Sequence, residues 1–192
     1  MNDAHCDDKS LAAIILAAGE GYRFGKPKWQ GEYQSKTFLE IIKEKLFLAD
    51  FSDIICVKQE SFDIRFDGLL YVDTPTPQFG MISSLYYALK SHPNYKGYLV
   101  IPVDHPLVEL FTIKELKRVF KFDKQQIIRP VYNCVPGHPI IIPGSFISFL
   151  KTPDYPGGLR QLIKDSKTPI TDISINDPNI LKNVNIQSDL RD

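Results

Sequence analysis

Ala12-Ala13-Ile14-Ile15-Leu16-Ala17-Ala18-Gly19-Glu20-Gly21-Tyr22-Arg23-Phe24-Gly25-Lys26-Pro27-Lys28 is the stretch on which the fold turns. The run from Leu11 to Leu16 is apolar without alternation, the pattern of a strand buried on both faces in a parallel sheet. It empties into a loop with glycines at 19, 21 and 25 and cations at 23, 26 and 28. Glycine lets the backbone approach an anion and turn its N–H groups on it, while Arg23, Lys26 and Lys28 bring countercharge. The loop therefore reads as a polyphosphate cradle, against the plainer alternative of a βα turn with solvated cations.

The rest of the chain bounds what such a loop can serve. Its 192 residues suit one compact domain, expected over 11–192 after a short polar, disordered leader over 1–10. Lys and Arg total 23 against 23 Asp and Glu, so no bulk field draws the protein to nucleic acid or an anionic membrane, and an anion must be held by a local cluster. Cys6, Cys56 and Cys134 are widely spaced and include no C-x-x-C pair, which argues against a disulfide framework or a zinc site and for a reducing, cytoplasmic setting. No segment is apolar for long enough to cross a bilayer.

Beyond the loop, Thr37 to Ala49 carries apolar residues at helical spacing, with Thr37 or Ser35 as its cap. Asp53–Lys58 and Leu69–Val72 read as strands, Pro75 and Pro77 hold an extended loop to Gly80, and a helix follows over Ile82–Lys90. Gly97 to Val103 is a further buried strand, and Asp104 follows its C-terminal end. In open parallel sheets ligands gather at the carboxyl ends of the strands, so Asp104 and the opening loop share one rim. Phe111–Phe120 is helical; strands follow at Gln126–Ile128 and Pro139–Ile142 around a turn at Val135-Pro136-Gly137-His138. Short helices at Ser145–Leu150 and Gly158–Asp165, a strand at Pro169–Ile173 and an extended piece at Leu181–Ile186 complete the chain. Strands alternating with helices predict a three-layer α/β/α sandwich on a mostly parallel sheet.

A dinucleotide-binding fingerprint needs G-x-G-x-x-G, and here the third position is Phe24; the glycines fall as G-x-G-x-x-x-G. A P-loop fails as well, because no Gly-Lys-Ser/Thr follows. Leu16 to Lys28 instead resembles the L-A-A-G-x-G-x-R-[MF]-G-x-x-K signature of the MobA-like NTP transferase family, including its molybdenum cofactor cytidylyltransferase branch. Gly80-Met81-Ile82-Ser83-Ser84-Leu85 is similar to its G-M-x-x-S-L segment, and Pro102-Val103-Asp104-His105-Pro106 to its [GP]-x-D-x-P metal motif. Arg129-Pro130 with Gly137-His138-Pro139, then Gly158-Leu159-Arg160, and finally Asn183 to Leu190 resemble later motifs, so the resemblance covers residues 11–190. The chain departs from the family pattern in lacking the acid of G-D-x-G-x-R in register, and in having Asn185-Ile186-Gln187 in the closing motif.

The resemblance implies a Rossmann-like sheet of the nucleotide-diphospho-sugar transferase type and an Mg²⁺-dependent transfer of a nucleotidyl group, with pyrophosphate leaving. By it, Leu16, Ala17, Ala18, Gly19, Gly21, Gly80 and Ser84 bind nucleotide, and Arg23, Lys28 and Asp104 are catalytic. Asp104 and Asn185 hold Mg²⁺, and His138 and Arg160 bind the acceptor. Ala18, with Gly-His-Pro downstream, favours CTP as donor and molybdopterin as acceptor, with a molybdoenzyme as possible partner. A sugar-phosphate or alditol-phosphate acceptor and a non-catalytic NTP-binding relative are the alternatives. The chemistry suits these residue types, since in-line transfer needs positioning and charge neutralisation more than acid–base groups.

Overall fold

The computed structural model describes residues 10–21, 25–121 and 125–190. The expected leader over 1–10 lies outside them except for Ser10, as does Cys6. The strand reading of the opening run holds: β1 spans Leu11–Leu16. Side chains on a strand alternate faces, and here both faces are core. Ala13, Ile15 and Ala17 enter one apolar cluster, Ala12, Ile14 and Leu16 the other.

A hairpin follows, β2 (Glu32–Tyr33) and β3 (Lys36–Thr37), reversing at Gln34 and Ser35, both with positive φ. Then come α1 (Phe38–Leu48), β4 (Ile54–Lys58), β5 (Leu70–Asp73), α2 (Met81–Ser91), β6 (Gly97–Pro102) and α3 (Leu110–Phe120). The last part holds β7 (Ile127–Tyr132), β8 (Val135–Pro136), β9 (Ile140–Pro143), α4 (Gly158–Ser166) and β10 (Ile170–Ser174). The sheet runs β10-β7-β9-β6-β1-β4-β5, with β8 beside β7. Pairs β1/β4, β1/β6, β4/β5 and β7/β10 are parallel; β9 is antiparallel to β6 and β7. The result is a mostly parallel mixed sheet, with α1 and α3 on one face and α2 and α4 on the other.

From β1 the chain moves outward to β4 and β5, then returns to place β6 on the other side of β1. The order reverses between β1 and β6, and such a switch point opens a crevice at the strand ends. Leu16 and Pro102, in register across the pair, form its floor.

Several local readings are corrected. The loop after Pro75 is not extended throughout: Pro77–Phe79 forms a 3₁₀ turn, since proline's fixed φ suits the first position of a helix. The reversal expected at Val135–His138 sits earlier, at Asn133 and Cys134, both with positive φ as a two-residue hairpin requires. Val135 and Pro136 instead pair with Tyr132 and Val131, so β7 runs on past Ile128. The piece read as extended over Leu181–Ile186 joins no strand and lies between 3₁₀ turns at Pro178–Leu181, which takes in its first residue, and Gln187–Leu190.

Thr37, not Ser35, caps α1: its hydroxyl accepts from the Glu40 N–H, and the Glu40 carboxylate accepts from the Thr37 N–H at 2.7 Å. The Thr37 hydroxyl, which also donates to this carboxylate at 2.7 Å, and after it the Thr37 N–H hold the Glu40 carboxyl below its ordinary value. A depressed carboxylate stabilises the fold above its unfolded pKa, and that contribution fades as pH falls through the folded one. Thr37→Ala should cost about 1 kcal/mol in urea unfolding at neutral pH. The difference from wild type should shrink on acidification.

Candidate active site

Three strand ends build the rim. Past β1, the Ala17 N–H bonds the Val57 carbonyl at 2.8 Å, and the Val103 N–H bonds the Leu16 carbonyl at 3.1 Å. The Gln59 amide reaches across to the Ala18 carbonyl at 2.7 Å, so β4 holds the start of the loop in place. At Gly21 φ is +64°, and a Cβ there would run into the Lys26 carbonyl and lie 2.9 Å from the Lys28 nitrogen. Only glycine lets the loop fold back so that the Lys28 N–H meets the Gly19 carbonyl at 3.2 Å.

That return aims Lys28 inward. Its stem crosses Gly19, where a Cβ would stand 3.3 Å from Cδ. Its Nζ lies 2.6 Å from Asp104 Oδ2 and 2.8 Å from Asn185 Oδ1. The first βα loop, the end of β6 and the last segment of the chain thus meet at one ammonium. The Lys28 and Asp104 side chains are only 26% and 13% exposed, so solvent screens the pair less than it would a surface pair. Lys26, by contrast, is engaged in an exposed ion pair with Glu32 at 2.8 Å. Arg23 lies outside the described residues.

A cavity of about 160 Å³ opens beside Lys28 at the switch point. Leu16, Ala18, Gly19, Gly80, Ser84 and Asp104 line it. Ala17 does not, for its side chain is in the core and its N–H is engaged. Gly21 shapes the turn but is not on this wall. Helix α2 begins at the cavity with Gly80 as N-cap and no side-chain cap, which turns the positive end of its dipole on the pocket. Ser83 is spent inside, its hydroxyl hydrogen-bonded with those of Thr74 and Thr76 at 3.0 and 2.8 Å.

His138 and Arg160 are not in this cavity but in a neighbouring one of about 510 Å³, which shares Met81 with the first. Its walls are apolar at Ile140, Leu159, Ile163 and Ile170 and cationic at Arg129, Arg160 and Lys164. Arg129 is held by Asp172 through paired contacts of 2.8 and 2.9 Å. His105 joins the two pockets: its ring lies 5.0 Å from that of His138, and its Nε2 is 4.0 Å from Asp104 Oδ1. Burial pushes both imidazoles down, His138 to about 4, with His105 adding to the effect. Both are neutral at pH 7.

Other residues that sequence reasoning did not single out hold this geometry. The Val184 N–H bonds the Asp104 carbonyl at 2.8 Å, and Asp189 accepts from the N–H groups of Asn185 and Ile186 at 2.7 and 3.0 Å. The fully buried Asp177 accepts from the Glu109 N–H, the Thr112 hydroxyl and the Asn179 N–H at 2.8 to 3.0 Å. Lys45, reaching from α1, donates to the carbonyls of Pro106 and Val108, both at 2.7 Å. Asp177 and Lys45 therefore brace the segment that leaves Asp104 and the one that leads to Asn185. No local pattern announces such pairs, whose members lie 61 to 68 residues apart.

The family model of the MobA-like NTP transferase domain matches residues 13–170, which include the whole rim except Asn185 and its supports. The chain belongs to the MobA-like NTP transferase family. Solved structures share the fold at low identity. Rv0371c from Mycobacterium tuberculosis H37Rv aligns with a TM-score of 0.80 at 22% identity, covering 96% of this chain and 97% of that one. A second structure of that protein is its complex with manganese, with a TM-score of 0.73, 21% identity and 95% and 96% coverage. Molybdopterin-guanine dinucleotide biosynthesis protein A from Archaeoglobus fulgidus gives 0.68 at 18%, with 94% and 95% covered. The 4-diphosphocytidyl-2C-methyl-D-erythritol synthase from Anaerococcus prevotii gives 0.70 at 15%, with 96% of each chain covered. This NTP transferase fold has, among its described residues, no helix long and apolar enough to cross a membrane.

Two measurements probe the supports. Asp177→Ala leaves buried donors unpaired and should cost about 3 kcal/mol in urea unfolding. His138 has its folded pKa depressed from 6.5 to about 4, so unfolded chains bind protons first and stability falls as pH drops across that window. His138→Gln should flatten the pH dependence of stability between those limits.

Proposed function

We propose that this chain is a metal-assisted nucleotidyltransferase that moves a nucleotidyl group, CMP in preference, from an NTP to a small anionic acceptor. The observation that carries the reading is the convergence of Lys28, Asp104 and Asn185 at the mouth of the switch-point cavity. The NTP phosphates follow the loop from Ala18 to Gly21 and the positive end of α2, with Arg23 against the leaving pyrophosphate. The Ala18 methyl in the wall of so small a cavity supports a pyrimidine base.

The donors near Lys28 are the hard oxygens of one carboxylate and one amide. That set fits Mg²⁺, which keeps waters and substrate phosphates as its remaining ligands. Asp104 and Asn185 would hold it, and when bound it would neutralise charge on the phosphate oxygens.

The acceptor occupies the larger cavity, its apolar body on Ile140, Leu159 and Ile163 and its charge toward Arg129, Arg160 and Lys164. Such walls suit a flat ring system with a phosphate, and molybdopterin is the favoured case, with a molybdoenzyme as the partner that would take the product. An acceptor phosphate oxygen attacks the α-phosphorus near Met81, where the cavities join. The new P–O bond forms as the bond to pyrophosphate breaks, and Lys28 neutralises the equatorial oxygens as charge builds. A phosphate nucleophile brings its own charge and needs no proton removed, in keeping with the neutral His138.

The test is a thermal shift with each NTP and Mg²⁺, then pyrophosphate release with candidate acceptors. CTP should stabilise most; indifference to all four nucleotides would sink the reading. Lys28→Ala and Asp104→Ala should each lower turnover about 100-fold or more per folded molecule, measured well below a melting temperature that falls because each variant unpairs a largely buried charge. Near-normal turnover in either would refute that residue's role.

A further inference from the structure

Lys28 stands where two roles collide. The proposed function assigns Asp104 and Asn185 to the metal, and Asp104 Oδ2 and Asn185 Oδ1 are both hydrogen-bonded to one nitrogen, at 2.6 and 2.8 Å. An ammonium donates to lone pairs that a divalent ion would use on those two oxygens. A metal on the other Asp104 oxygen would still lie next to the Lys28 ammonium, and in a half-buried site that repulsion sets the two cations against each other. The backbone that carries these oxygens has little freedom to move aside. The Asp104 carbonyl is tied to the Val184 N–H, and Asp189 fixes the Asn185 and Ile186 N–H groups. The lysine is the part that can leave, since its stem lies on Gly19 with nothing bulkier beneath it.

We propose that Lys28 and the divalent metal are alternative occupants of the Asp104–Asn185 oxygen pair, so that metal is admitted only as the nucleotide draws Lys28 away. The inference rests on the nucleotidyltransferase reading and deepens it by giving the site an order of loading. A second observation agrees: among the described residues no group of three or more His, Cys, Asp or Glu could hold a metal ion. One carboxylate and one amide make a weak metal site, and triphosphate oxygens complete it. Lys28 thus exchanges the carboxylate for the α-phosphate in the same event. Before loading it keeps Asp104 and Asn185 at ligand spacing and spares the site an uncompensated buried charge. By linkage, nucleotide and metal each tighten the other's binding by one common factor.

The experiment is Mn²⁺ binding followed by electron paramagnetic resonance and calorimetry, without turnover. It uses the wild-type chain, K28M, and K28M combined with D104N. Without nucleotide, K28M should bind Mn²⁺ about 10-fold or more tightly than wild type, a coupling of the usual allosteric size, and adding D104N should abolish the gain. In wild type, the α,β-methylene analogues of ATP, CTP, GTP and UTP are each titrated with Mn²⁺ or with EDTA. At least one should bind more tightly with the metal, and K28M should lose part of that difference. Equal Mn²⁺ affinity in wild type and K28M without nucleotide overturns the exchange, and the wild-type titrations judge it even if K28M folds poorly, since an equal analogue affinity with and without Mn²⁺ overturns it too. Failure of every analogue to bind under either condition would instead remove the nucleotidyltransferase reading beneath it.

Discussion

The contact of Lys28 with Asp104 and Asn185 is the constraint on which the rest of the site depends. It spans 76 residues to Asp104 and 157 to Asn185, and closes the first βα loop against the last irregular segment of the chain. Everything near it serves to bring those groups together. Gly21 permits the return of the loop, the parallel pairing of β1 with β6 brings Leu16 level with Pro102, and the Val184–Asp104 backbone bond seats the tail. A half-buried carboxylate stabilises nothing unless it is paired, so Asp104 needs a cation beside it at all times.

Much of this was legible because it lies on strands that are hydrophobic on both faces and on the residues that immediately end them. Leu11–Leu16 and Gly97–Pro102 have no polar interruption, and in such a sheet the strand ends are where a loop and an acid must meet. Helix α1 was equally plain from the apolar spacing of Thr37 to Ala49, although the choice of Thr37 over Ser35 as cap rests on the capping box with Glu40 that the fold forms. The direction of β9 was not readable. An apolar run such as Ile140–Ile142 looks the same parallel or antiparallel, and only the short connection through β8 decides it.

Two-residue strands were out of reach for a different reason. Glu32–Tyr33 with Lys36–Thr37, and Val135–Pro136, are too short to show a period of two, and their turns use Gln34, Ser35, Asn133 and Cys134 at positive φ without a glycine. The supports of the site escaped as well. Asp177, Lys45 and Gln59 look in sequence like ordinary surface polar residues, and only the tertiary fold shows the first to be fully buried and all three bonded to distant backbone. At the site itself, Lys28, Asp104 and Asn185 meet, His138 and Arg160 line the neighbouring cavity, and Ala17 lies in the core.

Charge balance connects the two cavities. On the nucleotide side, among the described residues, the Asp104 carboxylate faces the Lys28 ammonium, so that pair is neutral before anything binds. Were His105 or His138 protonated, a further cation would press on Asp104 and Lys28 and weaken the site's hold on a metal; burial prevents this by keeping both rings neutral. A divalent ion would then leave the rim positive at the moment a polyanionic triphosphate lies against it. On the other side, Arg129 is already balanced by Asp172, while Arg160 and Lys164, one helical turn apart on α4, make no ion pair with a described residue. The positive charge of the second cavity that is not tied into an ion pair therefore sits on α4, and the neutral histidines separate it from Asp104. Under the proposed function, an anionic acceptor would be drawn by charge that does not compete with the metal for the same carboxylate, and the two cavities could fill independently until their contents meet at Met81.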